Sequence, residues 1–259
     1  MLNHPTVSKL HTLRLTGMAT ALQEQSVQSD IDRLGFDERF GLLVDREMTE
    51  RDSRRLKLRL GQARLRQSAC LEDVDYRTAR GLDRTLMATL ATGEWLRQHL
   101  NVLICGPTGV GKSWIACALA NQACRLGFTA RYQRMDRLLT DMNCARGDGR
   151  YTRLLTQIAK IDVLCLDDFC LSPWTDVARR DLLEILDDRH GTRSTIVVSQ
   201  LSVDLWHDAI GDPTLADAIL DRLVHNSYRI NLKGDSLRKR SAPELINKNV
   251  IKNSTNPAA

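Results

Sequence analysis

Gly106-Pro107-Thr108-Gly109-Val110-Gly111-Lys112-Ser113 follows the apolar run Asn101-Val102-Leu103-Ile104-Cys105 and leads into a helix-forming stretch, Trp114 to Leu126. The octet fits the pattern GxxxxGK[ST], and a strand before it and a helix after it are the context in which that pattern grips phosphate. The residue types follow from the chemistry. The glycines let backbone N–H groups curl inward toward phosphate oxygens. The helix N-terminus adds the positive end of its dipole. Lys112 reaches the β- and γ-phosphates, and Ser113 offers a hydroxyl to Mg²⁺. The whole span from Gly106 to Ser113 therefore predicts an ATP site.

Further along, Val163-Leu-Cys-Leu-Asp167-Asp168 is an apolar strand that ends in two acids, about 55 residues after Lys112. Such a strand end holds the metal of a phosphate loop. Asp167 is expected to hold Mg²⁺ together with Ser113, and Asp168 to polarise the attacking water. Between and around these motifs, short β-rich runs alternate with longer helical segments. The runs are Asn101–Cys105, Thr129–Gln133, Asp162–Leu166, Thr195–Ser199 and Tyr228–Leu232. Five strands separated by helices predict an α/β fold with a parallel sheet covered on both faces.

Residues 1–70 read differently. Pro5 suits a first helical turn, and Leu10, Leu13, Met18 and Leu22 recur at roughly helical spacing. Gly35 breaks the pattern, Asp37 is placed to cap a second helix, and Phe36, Phe40, Leu43 and Val44 share one side of it. That helix runs into a basic stretch, Arg51 to Arg66, with seven Arg/Lys and one acid. The segment predicts a small all-α domain for partner or DNA contact, ahead of an ATPase domain over 71–246 and a disordered polar tail over 247–259.

Composition excludes several classes. At 42% apolar and 27% charged in 259 residues, the chain carries enough apolar surface for a sizeable core and is not a mainly disordered polymer. The net charge of +5 permits a nucleic-acid partner without requiring one. The seven cysteines, at 70, 105, 117, 124, 144, 165 and 170, form no CxxC pair and read as reduced, buried thiols in a cytoplasmic protein. No run approaches the ~18 apolar residues of a membrane span, so no membrane partner is expected.

The motif spacing and the strand order favour the AAA+ group of P-loop ATPases over small-molecule kinases. Longer blocks narrow this further. "HPTVSKLHTLRLTGMATAL", "FDERFGLLVDREMTERDSRRLKLRL", "GPTGVGKSWIACALANQAC", "ARGDGRYTRLL" and "DAIGDPTLADAILDRLVHNSYRINLKGDSLRKR" resemble the IstB-type ATP-binding proteins of insertion sequences, and the likeness runs from about residue 4 to 242. The resemblance implies relatives of the helicase-loader and replication-initiator ATPases. It implies a helper that binds double-stranded DNA with ATP, forms a homo-oligomer, and assists a cognate transposase. It also implies further site residues. Arg222 resembles an arginine finger reaching a neighbouring subunit's nucleotide, Gln200 occupies the sensor position after the fourth strand, and Arg238 resembles a second sensor. Asp168 departs from the Glu common in the wider group.

Two regions are candidates for DNA. On a helix, Arg51, Arg55, Arg59 and Arg66 fall near one face, with Arg54 beside them. Between the second strand and the acidic strand end stand Arg134, Arg137, Arg146, Arg150 and Arg153, with Arg146-Gly-Asp-Gly-Arg150 as a tight turn between helices. The second region is the favoured one, because initiator-related ATPases carry a DNA-facing helix there. Low aromatic content, 5%, favours backbone contacts to duplex phosphates over base stacking. Trp114 and Trp174 are expected against the sheet, and Met135 and Met142 in the core. A helicase loader remains the alternative, distinguished by the partner that the N-terminal helices choose.

Overall fold

The computed structural model describes residues 5–237, apart from the side chain of Asp32. The tail over 247–259 and Arg238 lie outside the described residues. The chain begins with helices α1 (Pro5–Thr12), α2 (Thr16–Gln25) and α3 (Phe36–Ala63). After a connecting segment come α4 (Arg84–Ala91), α5 (Glu94–Arg97), β1 (Asn101–Cys105), α6 (Lys112–Arg125), β2 (Ala130–Arg134), α7 (Met135–Gly147), α8 (Tyr151–Ala159) and β3 (Val163–Phe169). The remainder is α9 (Asp176–Arg189), β4 (Ser194–Ser199), α10 (Trp206–Ile210), α11 (Pro213–Val224) and β5 (Ser227–Asn231).

The five strands form one parallel sheet in the order β2-β3-β4-β1-β5. All five expected runs are strands. β1 has the expected limits, β2, β4 and β5 differ by one residue at one or both ends, and β3 runs three residues beyond its expected end, to Phe169. Burial follows the two-residue strand period. Val102, Ile104, Cys165, Ile196 and Val198 face α6 and its Ile115 and Leu119. Leu103, Leu164, Leu166 and Val197 face the other layer, with Met135, Met142, Leu182 and Trp206. Both faces are covered, so β1 and β4 are buried along their whole length rather than alternating. The helices of the second layer start on side-chain caps: Thr175 accepts from Ala178 N (3.2 Å) and Asp212 from Leu215 N (2.9 Å), with Pro213 in the first turn of α11. Trp174 packs edge-on against Phe169 with ring centroids 5.0 Å apart. Cys144 is exposed on α7, unlike the buried thiols expected from the sequence, because it falls on the face of that helix opposite Met142 and Ala145.

α3 is 28 residues long, about 42 Å, and serves two neighbours. Its first half holds α2. The Glu47 carboxylate accepts from Gly17 N (2.7 Å) and Met18 N (3.2 Å), satisfying N–H groups that the first turn of α2 leaves unpaired, and from Arg51 Nε (2.7 Å). The helices touch closely here: a Cβ on Gly17 would lie 2.7 Å from Glu47 Cα. Asp37 does not cap α3. Gly35 holds the cap position, and its N–H is taken by the Glu38 carboxylate (2.9 Å).

The second half of α3 lies on the core around α6, with Leu56 and Leu60 against it and Ala63 fully buried. The basic row is largely paired within the chain. Arg51 is taken by Glu47, Arg54 by Glu50 (2.9 Å), Arg55 by Asp52 (3.4 Å), and Arg59 Nε by the Cys124 carbonyl at the end of α6 (2.9 Å). The helix also stops short of Arg66, at Arg64, which takes φ 49° and turns the chain. Among the described residues, no helix is long and apolar enough to cross a membrane.

Burial alone raises the Glu47 carboxyl, but the Arg51 guanidinium and the Met18 and Gly17 N–H groups outweigh it and hold the carboxyl below its ordinary value of 4.5. A depressed carboxyl stabilises the fold above its unfolded pKa and loses that stabilisation as pH falls through the folded pKa. Hydrogen exchange should therefore report loss of α2 protection on acidification below about pH 4.5. Glu47→Gln should lower α2 protection at neutral pH by about 1.5–3 kcal/mol, the worth of a charged hydrogen bond, and flatten the acid dependence. A variant with unchanged protection and unchanged acid response would remove Glu47 from this role.

Candidate nucleotide site

The loop after β1 and the start of α6 form the floor of a cleft of ≈ 510 Å³ at the C-terminal edge of the sheet, the place where open α/β sheets bind ligands. Gly106, Gly109 and Gly111 all take positive φ, at 146°, 89° and 96°. At Gly111 a side chain is excluded twice over, since a Cβ there would also meet Arg80 Nη1 at 2.6 Å. Lys112 is buried, and its Nζ donates to the Gly106 and Pro107 carbonyls (2.6 and 2.8 Å). Thr108, Gly109, Gly111, Lys112 and Ser113 line the cleft. Val110 is buried behind it, its carbonyl accepting from Arg80 Nη1 (3.1 Å). The segment after β5 wraps the loop from above, with Leu237 N donating to Gly109 O (2.9 Å).

The two acids part company at a β-bulge. Leu166 pairs with Val197 and Phe169 with Ser199, so β3 spends one residue more than β4. Asp168 sits at φ 60°, a left-handed backbone that Asp tolerates better than most residues. The bulge re-aims the side chains. Asp167 is buried at 1% exposure, and Asp168 turns outward into the cleft. Asp167 Oδ1 accepts from Asp168 N (2.9 Å), and Oδ2 accepts from the Tyr132 hydroxyl. Burial, then the Asp167 carboxylate, push the Tyr132 phenol far up, so it stays protonated as the donor. Asp168 Oδ2 is held by Arg134 Nε at 2.8 Å. Gln200, just past β4, accepts from the Thr108 hydroxyl (2.7 Å) and lines the cleft.

The other site candidates lie elsewhere. Arg134 stands at the cleft, paired with Asp168, and not on the surface of the helical hairpin. Arg137 and Arg153 are exposed on α7 and α8. Arg146 pairs with Asp181 and lies 4.4 Å over the Tyr151 ring, while Arg150 Nε binds Asp148 (2.8 Å) in the turn between the helices. Arg222 is not brought to its own chain's cleft. It pairs with Asp187 (2.8 Å) on α9, and its carbonyl accepts from Asn101 Nδ2 (2.9 Å) at the start of β1, the opposite edge of the sheet from the loop.

Several cleft residues carry no motif signal. Arg66, Gln67, Asp73, Asp75 and Arg80 come from the segment between α3 and α4, and Trp114, half-buried, forms wall rather than pure core. Tyr132 is buried on β2, two residues before Arg134. Its position opposite Cys165 in the β2–β3 register puts it one strand from Asp167.

These residues fit a nucleoside triphosphate with Mg²⁺. Arg80 is 4% exposed beside the loop, and its Nε has no partner among the described residues. Burial lowers its pKa, with Asp75 and Tyr76 opposing. A buried cation with an orphaned donor beside the glycine-rich loop suits a polyanion. Among the described residues no group of three or more His, Cys, Asp or Glu converges as a metal cage. Ser113 and Asp167 offer two ligands, which suits Mg²⁺ that takes its other ligands from phosphate and water.

A phosphate loop after β1, acids at the end of β3, and the order β2-β3-β4-β1-β5 define a P-loop ATPase of the AAA+ group. Within it, the chain belongs to the family of IstB-like ATP binding proteins, whose sequence profile it matches over residues 8–244. It is 54% identical over 239 residues to the insertion sequence ATP-binding protein y4pL of Sinorhizobium fredii, a match covering 92% of this chain and 98% of that one. Among solved structures it is similar in fold to the DnaC helicase loader, with a TM-score of 0.53 and 17% identity over 64% of this chain and 97% of that one. It is likewise similar to the replication initiator DnaA bound to AMPPCP and single-stranded DNA, with a TM-score of 0.53 and 17% identity over 66% of this chain and 52% of that one.

Proposed function

We propose that the protein is the ATP-hydrolysing, DNA-binding helper of the transposase encoded with it, assembling as a homo-oligomer on double-stranded DNA. The observation that carries the catalytic part is the shared cleft, where Lys112, Ser113, Asp167, Asp168 and Gln200 meet around one ≈ 510 Å³ space. Family membership supports the transposition role, and the DNA-bound initiator of similar fold supports a DNA partner.

In this reading the loop N–H groups and Lys112 hold the triphosphate, and Ser113 and Asp167 hold Mg²⁺, which neutralises charge on the phosphates when bound. Asp168 accepts a proton from the attacking water, and Arg134 must loosen its grip for that carboxylate to act as a base. Gln200 orients the water or the terminal phosphate. Arg222 stabilises charge on a neighbour's transferring phosphoryl group, since it stands at the edge of the sheet away from its own cleft. The α7–α8 hairpin, with Arg137, Arg146, Arg150 and Arg153, meets duplex phosphates without reading sequence.

Mixing tests the assembly. Arg222→Ala should bind ATP as isolated subunits do, yet lose about 10³-fold or more of DNA-stimulated hydrolysis, the range of an arginine finger. Adding Lys112→Ala subunits, inert alone but with Arg222 intact, should restore part of the activity. No recovery in the mixture, or a protein that stays monomeric with ATP, Mg²⁺ and duplex DNA in sizing chromatography, would overturn the oligomeric reading.

A further inference from the structure

The cleft has one wall that belongs to the N-terminal helices. α3 stops at Ala63, the left-handed Arg64 turns the chain, and Leu65 settles on the core beside α6. Arg66 and Gln67 then line the cleft with Lys112, Ser113, Asp167 and Asp168. Arg66 Nη1 lies 3.8 Å from Asp167 Oδ2, the same oxygen that takes the Tyr132 hydroxyl. The Arg66 side chain is 45% exposed and Asp167 is 2% exposed, so a cation from solvent is presented to a buried acid. A hydrogen bond to the Tyr132 oxygen, and then the Asp167 and Asp168 carboxylates, favour the charged guanidinium against its partial burial.

The helix behind Arg66 is fastened at both ends. Arg59 ties it to the last turn of α6, the helix that starts at Lys112. Twelve and nine residues before Arg59, Glu47 and Glu50 clamp α2, through Gly17 N and the Thr16 hydroxyl (2.7 and 2.8 Å). A displacement of Arg66 is therefore felt by a single rigid element that also carries the N-terminal helices.

We propose that Arg66 is a positioning residue through which the nucleotide site is coupled to α3 and the helices it carries. It steadies Asp167 together with Tyr132, and it turns toward the phosphates when Mg²⁺·ATP claims that carboxylate. The electrostatics require some such exchange. Asp167 Oδ2 already accepts from the Tyr132 hydroxyl and has the Arg66 guanidinium 3.8 Å away, so a divalent ion reaching it is opposed by that positive charge, and a triphosphate in the same cleft offers the guanidinium an alternative anion. Binding of the nucleotide then draws the end of α3 onto the cleft. This coupling rests on the ATP-site reading above and goes beyond it.

The test uses the full-length protein, AMPPCP with Mg²⁺, and two readouts: calorimetric affinity and hydrogen exchange. In the wild type, AMPPCP should raise protection over residues 56–67 as well as over the phosphate loop and α6. Arg66→Gln should weaken AMPPCP about tenfold and abolish the response of 56–67, while the response of α6 persists. Arg66→Lys, which keeps the charge, should restore part of both. Wild-type affinity together with a wild-type α3 response in Arg66→Gln would overturn the coupling. So would an α3 that is already unprotected without nucleotide in both variants, since that marks Arg66 as a structural anchor alone. Lys112→Ala is the control. If it binds AMPPCP as tightly as the wild type, the nucleotide-site reading itself falls, whereas loss of binding there with no effect of Arg66→Gln removes only the proposed coupling.

Discussion

Lys112→Ala should reduce ATP affinity by about 30- to 100-fold and abolish nucleotide-dependent assembly. Lys112 is buried at 8% exposure, with its ammonium folded onto the Gly106 and Pro107 carbonyls. It is thus fixed at the mouth of the loop, and its charge meets the phosphates with little further ordering. A charge-assisted contact of this kind is worth about 2–3 kcal/mol, and each 1.4 kcal/mol is tenfold in affinity. The substitution removes the ammonium while leaving the glycine backbone unchanged, so the apparent fold should persist by circular dichroism. Calorimetry with ATP and Mg²⁺ measures the effect. Affinity within a few fold of the wild type would refute the phosphate-loop assignment, and with it the functional reading above.

Asp168→Asn should leave ATP affinity within about threefold and slow hydrolysis by about 10²–10⁴, the contribution of a positioned general base. The amide keeps the shape and the left-handed backbone at φ 60°, which Asn tolerates as Asp does. It cannot accept the proton from water. The ion pair to Arg134 is also weakened, but Arg134 is half-exposed, and such pairs contribute under about 1 kcal/mol. The variant should therefore stay folded, bind duplex DNA with ATP, and release it slowly. Fluorescence anisotropy of labelled duplex, alongside phosphate release, distinguishes the cases. Unchanged turnover with rapid DNA release would assign the base to another group.

The two acids show how far local pattern reaches. An apolar run ending in Asp167 and Asp168 marks a metal-side strand end in any order of reading. Which acid is buried and which faces the cleft depends on the extra β3 residue opposite Val197 and Ser199, a property of two strands together. The same holds for the basic residues. Arg134 and Arg146 look alike in a run of cations, yet one binds Asp168 and the other Asp181, acids 34 and 35 residues away. In the stretch Arg51 to Arg59, neighbouring acids one turn away absorb Arg51, Arg54 and Arg55, and the i,i+4 pairs to Glu47 and Glu50 were visible in the sequence had helical neighbours been counted.

Glycine spacing, a lysine-serine end and five strand-like runs were enough to place the phosphate loop and the parallel sheet, and the resemblance of longer blocks placed the family, because each signal is carried by residues adjacent in the chain. Arg66, Arg80 and Tyr132 were invisible on those terms. They reach the cleft from the α3–α4 segment and from β2, Arg66 101 residues from Asp167, Arg80 30 from Val110 and Tyr132 35 from Asp167, and no local rule links them. Their roles arise only once the sheet order sets β2 beside β3 and α3 is laid along α6, when buried charge must find a partner wherever packing has brought one.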